Sequence, residues 1–208
     1  MKTTSLGDTP FNLIITGVGG QGNVLASRVV GDIMSDLGFT VTIGETFGAS
    51  QRGGSVMSHL RISSKGVLSP QIPKGKADMV VALEPIEAIR VLKNYGNPRV
   101  KVLCVTRPIQ PMSVICGELT YPEEEKIVGW IRELSSASWF FDPSSEALRL
   151  GNPIVANIIT VGALAATKTL PIDLPVFEKV IRRKFPQNKV DMNLKAFQIG
   201  KEMIQNQK

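Results

Sequence analysis

The strongest chemical signal in this sequence is a cluster of glycines, GVGGQGN at positions 17–23. Gly17, Gly19 and Gly22 have the spacing G-x-G-x-x-G. In that pattern the first glycine permits a tight turn, the second lets a ligand approach the backbone, and the third lets a helix pack closely on a strand. The turn predicts a phosphate site, because unpaired N–H groups and the positive end of a helix dipole favour anions. A tight turn that binds nothing is the alternative.

Neighbouring residues extend this candidate site. Gly20 removes one more side chain from its mouth, and Gln21 or Asn23 could add a hydrogen bond. Enzymes that bind dinucleotides hold a ribose hydroxyl with an acidic residue about 20 residues further on. Glu45 lies near that place, so we include it among the candidate binding residues.

A second polar loop follows, TFGASQRGGS at positions 46–55. Because it leaves the carboxyl end of a predicted strand, we expect it to face the same crevice as the glycine turn. Arg52 could bind a phosphate or carboxylate through two parallel hydrogen bonds, and an exposed or interface arginine is the alternative. The candidate binding residues of this loop are Ser50, Gln51, Arg52, Gly53 and Gly54.

The other reactive side chains form no catalytic or metal-binding pattern. His59 is the sole histidine of the sequence, and its place in an alternating strand indicates a structural or interface role. Cys104 and Cys116 lack metal-ligand spacing and are too few for a disulfide framework. Cys104 lies in an apolar run, which predicts a buried thiol. We therefore assign no catalytic residue and no metal ligand to this chain.

The elements that must position these loops alternate between strand and helix. Apolar or alternating runs predict strands at residues 12–16, 39–43, 55–63, 78–83, 100–106 and 139–141. Apolar residues at helical spacing predict helices from the glycine turn to residue 37, around residues 86–92, and at 123–135, 152–168, 173–185 and 190–205. This alternation predicts an α/β fold with a Rossmann-like, doubly wound and mainly parallel sheet, flanked by helices and extended by C-terminal helices. Residues 66–75 are predicted to form an exposed loop.

Length and composition limit the classes of protein. A chain of 208 residues with 43% hydrophobic content predicts one domain over residues 1–208, with a core from about 11 to 204. The formal charge of +6 favours anionic partners, but the sparse aromatics are not interleaved with the basic residues, which argues against nucleic acid. With no signal-peptide pattern and no run of 18 apolar residues, we expect a cytoplasmic protein without membrane contact.

Four segments together resemble one known family. They are GVGGQG, then GETFGASQRGGSVMSHLRIS, ADMVVALEPIEAIR and the later GNPIVANIITVGAL. The chain resembles the gamma-domain family of 2-oxoacid:ferredoxin oxidoreductases, and within it the small (beta) subunits of the indolepyruvate-type enzymes. The resemblance covers about residues 11–204, and the stretch around Gln51–Gly54 is more specific than the glycine pattern.

The resemblance implies a shared reaction, in which a 2-oxoacid is oxidatively decarboxylated with coenzyme A to an acyl-CoA while ferredoxin is reduced. It also implies that thiamine diphosphate, magnesium and iron–sulfur clusters belong to a larger (alpha) subunit. The sequence agrees, because a four-iron cluster typically needs four thiolates and only two cysteines are present. We expect a non-catalytic partner that contacts ferredoxin through the complex, with coenzyme A as the candidate ligand near the glycine turn and Arg52.

Two alternatives stay open at this point. The fold could serve only as a scaffold, with the loop from Glu45 to Ser55 packed against the larger subunit. A free-standing NAD-type oxidoreductase is the other, although the sequence lacks a Tyr-x-x-x-Lys pair and a separate substrate domain.

Overall fold

A six-stranded sheet runs through the part of the chain that the computed structural model describes, residues 10–48 and 53–207. Every predicted strand is present. The strands are β1 (Phe11–Val18), β2 (Thr40–Phe47), β3 (Ser55–Ser63), β4 (Met79–Ala82), β5 (Lys101–Val105) and β6 (Ala137–Phe141).

The order of the strands is β2-β3-β1-β4-β5-β6, and the sheet is mixed. Strands β1, β4, β5 and β6 pair in parallel, which confirms the mainly parallel sheet. Strand β3 is antiparallel to both β1 and β2, and it lies between them. This insertion moves β2 one strand further from β1 than in a dinucleotide-binding sheet, where the order 3-2-1 makes β2 the neighbour of β1.

Helices cover both faces of the sheet, so side chains of β1 alternate between two cores. Leu13 and Ile15 point to one core, and Ile14 points to the other. The first core is closed by α1, α6, α7 and α8, and the second by α2 and α4. The helices are α1 (Asn23–Asp36), α2 (Pro85–Tyr95), α3 (Met112–Ile115), α4 (Glu124–Glu133), α5 (Ser144–Arg149), α6 (Ala156–Ala166), α7 (Leu174–Lys184) and α8 (Gln187–Gln205).

The predicted helix at 152–168 is α6 with a 3₁₀ turn, Pro153–Val155, in front of it. Its small residues let it pack directly on α8. A Cβ atom added at Gly162 would lie 1.9 Å from the carbonyl oxygen of Phe197, and one at Gly200 would lie 1.8 Å from that of Ile159. Backbone therefore touches backbone where these two helices cross.

The short helices α3 and α5 were not predicted, because four and six residues are too few for a helical period to be read. The predicted loop at 66–75 has no helix or strand, but it is not exposed throughout, since Ile72 is buried against the second core. Across residues 10–48 and 53–207, no helix has the length and apolarity that a membrane span requires.

Candidate functional site

A cleft of about 680 Å³ opens at the edge of the sheet where the parallel strands end, which we call the carboxyl edge. Its walls come from the segments that follow β1, β4, β5 and β6, represented by Gly20, Leu83, Arg107 and Pro143. The chain leaves β1 towards α1 in the first core and leaves β4 towards α2 in the second core. Ligands of α/β proteins bind where neighbouring strands diverge in this way, so the cleft is the candidate site.

The glycine turn forms one wall of the cleft. Gly20 has φ of +106°, and a Cβ atom added there would meet nothing within 4 Å. Gly22 ends the turn with φ of +84°, and its missing side chain makes room for the amide of Asn157. Gly17 leaves room for two side chains that fold back over it, those of Gln21 and Asn23. Backbone conformation and close packing thus explain this glycine spacing.

Gln21 and Asn23 make hydrogen bonds within the protein. The Oε1 atom of Gln21 accepts from the Val18 N–H at 2.7 Å, and its Nε2 atom donates to the Leu83 carbonyl at 2.6 Å. Asn23 Nδ2 donates to the Val18 carbonyl at 3.1 Å. Both side chains hold the turn in place, and a contact of either with a ligand stays a prediction.

The end of the second loop closes on the first, as expected from its position after β2. The N–H of Gly19 donates to the carbonyl of Gly54 at 2.8 Å, and the N–H of Gly53 donates to the carbonyl of Gly19 at 3.4 Å. The predicted site residues Ser50, Gln51 and Arg52 lie outside the described residues. Gly53 and Gly54 therefore join the glycine turn through backbone pairing.

Glu45 is not brought to the glycine turn. It lies on β2, which β3 separates from β1, and its carboxylate faces Arg28 of α1 at 3.8 Å. Two strand spacings of about 4.8 Å each lie between β2 and β1. The insertion of β3 is the physical reason that Glu45 does not occupy the ribose-binding place of a dinucleotide enzyme.

The polar groups that do face the cleft include two that the sequence did not single out. Arg107 follows β5. Among the described residues that line the cleft, it is the one with a positively charged side chain. Asn157 lies in the first turn of α6 and is 1% exposed. Its Nδ2 atom points to the carbonyl of Gly22 at 3.5 Å, which directs its Oδ1 atom away from that oxygen. This Oδ1 has no hydrogen-bond partner among residues 10–48 and 53–207.

Two helices present their N-terminal ends to the cleft. Gly20 and Gln21 lie just before α1, and Ala156 and Asn157 begin α6. The positive ends of the two helix dipoles favour negative charge there. Together with Arg107, they give the cleft groups that favour an anion, while leucine, isoleucine, valine and proline side chains form its apolar walls.

A buried carboxylate supports the wall after β5. Glu84 is 1% exposed, and it accepts hydrogen bonds from the Tyr121 hydroxyl at 2.5 Å and from the Glu87 N–H at 2.9 Å. The backbone of Ile109, in the cleft wall, also bonds to it. Burial raises the pKa of Glu84 above its usual range, although these hydrogen bonds oppose the shift. Glu84 therefore ties the start of α2 to the segment that carries Arg107.

His59 is buried on β3, away from the cleft lining, and its structural role is supported. It is 1% exposed, and its ring contacts Tyr95 edge-on with centroids 5.2 Å apart. Its Nδ1 atom accepts from the Ile72 N–H at 3.4 Å. Burial lowers the pKa of His59, which favours the neutral ring.

Sequence reasoning missed Arg107, Asn157 and Glu84, although Asn157 and Glu84 each had a local signal. Glu84 directly follows a buried strand, and Asn157 follows the Asn-Pro pair at 152–153 that precedes a predicted helix. Only the tertiary structure brings these segments to one cleft. Over the described ranges 10–48 and 53–207, no group of three or more His, Cys, Asp or Glu side chains is arranged to hold a metal ion.

A family model and a known relative both match nearly the whole length of the chain. The family model described as pyruvate ferredoxin/flavodoxin oxidoreductase matches residues 12–203. The chain is 38% identical over 199 residues to the indolepyruvate oxidoreductase subunit IorB of Pyrococcus horikoshii, and the match covers 93% of this chain and 98% of that protein.

Solved structures with the same fold include the gamma subunit of a keto/oxoacid ferredoxin oxidoreductase from Geobacter sulfurreducens. The TM-score is 0.66 at 23% identity, over 94% of this chain and 99% of that one. Another is the 2-oxoglutarate:ferredoxin oxidoreductase of Magnetococcus marinus with 2-oxoglutarate, coenzyme A and succinyl-CoA bound. There the TM-score is 0.71 at 18% identity, and the match covers 96% of this chain but 32% of the longer one.

Proposed function

The chain belongs to the pyruvate ferredoxin/flavodoxin oxidoreductase family, and from this membership we propose that it is the small subunit of an indolepyruvate-type 2-oxoacid:ferredoxin oxidoreductase. The observation that carries the proposal is the 38% identity to a subunit named indolepyruvate oxidoreductase IorB, over nearly the full length of both chains. An arylpyruvate is accordingly the proposed 2-oxoacid, with ferredoxin as the electron acceptor of the complex.

In this proposal the larger subunit holds thiamine diphosphate, magnesium and the iron–sulfur clusters. The two cysteines of this chain support that division. Cys104 is buried and burial raises the pKa of its thiol, whereas Cys116 is exposed on the segment after β5. Two thiols in such different places do not suit a cluster that takes four thiolates. The small subunit then contributes binding groups and not redox chemistry, and we place the complex in the cytoplasm.

We further propose that the cleft binds coenzyme A. The anion-favouring groups of the cleft, which are Arg107 and the starts of α1 and α6, suit the phosphates. The apolar walls suit the pantetheine arm. A volume of about 680 Å³ lies within the usual range of ligand pockets. The structure with coenzyme A bound, from M. marinus, has this fold.

A matched pair of variants at Gly20 tests whether the cleft binds coenzyme A. Gly20→Asp and Gly20→Asn place side chains of equal size at the same open position and the same positive φ, but only the aspartate adds charge. In the complex, Gly20→Asp should weaken coenzyme A binding about tenfold relative to Gly20→Asn, because a like charge faces the phosphates. Arg107→Gln should weaken it similarly. Calorimetric titration of each complex measures both effects.

The scaffold role is the second candidate, and the backbone pairing of Gly19 with Gly53 and Gly54 favours it, because this pairing occupies part of the glycine turn. Equal coenzyme A affinity in Gly20→Asp and Gly20→Asn complexes would support the scaffold and contradict the binding role. The subunit assignment has its own test, which is indolepyruvate-dependent ferredoxin reduction by the complex but not by this chain alone.

A further inference from the structure

Most of the large apolar side chains that are exposed in the described structure lie around the cleft. Six of them lie on the segment after β5, on α5 and on the turn before α6, and we call this set the apolar rim. Its residues are Ile109, Met112, Ile115, Leu119, Leu148 and Ile154. Four of the six, Ile109, Ile115, Leu148 and Ile154, line the cleft itself, so the rim and the cleft share one surface.

The exposed apolar area of the rim is large for the surface of a monomeric protein. Met112 is 71% exposed, and the helix α3 that carries it buries none of its residues. The six side chains are between 38% and 71% exposed, so their summed apolar area is roughly 600 Å², on the scale of the largest apolar patches of typical monomers. This is most of the ~800 Å² that one partner contributes to a standard interface.

The short helix at the centre of the rim is held by backbone bonds rather than by a core. The N–H groups of Cys116 and Leu119 donate to the carbonyls of Met112 and Ser113 at 2.8 and 3.1 Å. Beneath the rim, Glu84 and Tyr121 anchor the same segment to the body of the protein. The rim is therefore a positioned apolar surface whose side chains have no covering layer among the described residues.

We propose that the apolar rim docks the larger subunit of the complex, which then covers the cleft; this proposal rests on the proposed function. The roughly 600 Å² of apolar area suits a stable protein interface. In the M. marinus structure the same fold makes up 32% of a longer chain, so there it is continuous with further polypeptide. The proposed partner surface is apolar and faces the carboxyl edge. A second copy of this chain is the competing occupant.

Cys116 provides a natural probe of this surface. It lies directly after α3 and is exposed, whereas Cys104 is buried and burial raises the pKa of its thiol, so only Cys116 should react in the folded chain. Maleimide labelling, read by mass spectrometry of this chain, should be at least about tenfold slower in the complex than in the free chain. Val67→Cys supplies the control, because Val67 is 83% exposed in the segment that leaves the sheet at the opposite edge.

A pair of charge substitutions tests the energetics. Met112→Glu with Ile115→Glu removes two rim side chains that nothing in the described structure buries, so the fold should be kept and its thermal midpoint unchanged. Binding to the co-expressed larger subunit should weaken about 100-fold or more, as when residues central to an interface are lost. Val67→Glu is the matched control and should bind as the wild type does.

The outcomes separate the two proposals. If the wild-type chain forms no complex with the larger subunit, the proposed function fails and the docking proposal fails with it. If the wild type assembles but the double variant assembles equally well, or if Cys116 reacts as fast in the complex, only the docking proposal is overturned. Loss of self-association in sedimentation, with complex formation intact, would assign the rim to a second copy and also overturn it.

Discussion

Substitution of Gly162 by alanine tests the close contact between α6 and α8. The added Cβ atom would lie 1.9 Å from the carbonyl oxygen of Phe197, about 1.5 Å short of the 3.4 Å at which ordinary van der Waals contact begins. The obstacle is backbone of α8, so no side chain can rotate away. The helices must therefore separate, and the contact at Gly200 must open with them.

The size of the effect follows from two opposing contributions. Overpacking in a core typically costs about 1–3 kcal/mol and occasionally more, and a backbone obstacle puts this site at the upper end. Alanine in a helix interior is about 0.5–1 kcal/mol more favourable than glycine. We therefore expect Gly162→Ala to lower the free energy of unfolding by about 2–3 kcal/mol. For a chain of this size the midpoint of thermal unfolding should fall by roughly 4–12 °C.

Gly129→Ala in α4 is the matched control. It is the same substitution in another helix, and a Cβ atom there would meet nothing within 4 Å. It should raise the free energy of unfolding by about 0.5–1 kcal/mol. Urea unfolding followed by far-UV circular dichroism measures both variants. The packing argument is refuted if Gly162→Ala is as stable as the wild type, or if both variants change stability by the same amount.

Other substitutions test the site and its supports. Gly22→Ala should lower the free energy of unfolding by more than about 2 kcal/mol, because Gly22 has a positive φ and the new Cβ atom would overlap the Asn157 amide. In urea unfolding, the double variant with Asn157→Ala should recover part of this loss. Tyr121→Phe should lower the free energy of unfolding by about 1–2 kcal/mol, because it removes a hydrogen-bond donor to buried Glu84. It should also speed amide hydrogen exchange in the segment after β5. Unchanged exchange would exclude the proposed role of Tyr121 and Glu84 in anchoring that segment. Burial lowers the pKa of His59 below its unfolded value of about 6.5, so its contribution to stability is present above that pH and is lost as the pH falls, by up to about 1.4 kcal/mol per pH unit. Between pH 7.5 and pH 5, His59→Gln should lose less stability than the wild type. An equal loss in both proteins would contradict the assignment of this pH dependence to His59.

Local patterns predicted the strands and long helices because each has a clear period. The apolar run before the glycine turn is β1, and the helical spacing after it is α1. The missing side chains of Gly162 and Gly200 permit the close contact between α6 and α8. The short helices α3 and α5 have too few residues for a period, and they carry much of the apolar rim.

The candidate site was predicted only in part, for a physical reason. The glycine turn is local, so its position between strand and helix could be read from the chain. The distance between Glu45 and that turn depends on whether β2 pairs with β1, and the antiparallel insertion of β3 is a long-range pairing that no local pattern specifies. For the same reason Arg107 and Asn157 could not be assigned to one cleft before the fold was known.

The sequence by itself determined the family, the alternation of strands and helices, and the glycine turn, because these depend on residue type and short spacing. The tertiary structure alone decided the sheet order, the hydrogen bond from Gln21 to Leu83, and the meeting of four strand ends in one cleft. Those features arise from contacts between residues far apart in the chain, such as Gly22 with Asn157. Such contacts form only when the whole core packs.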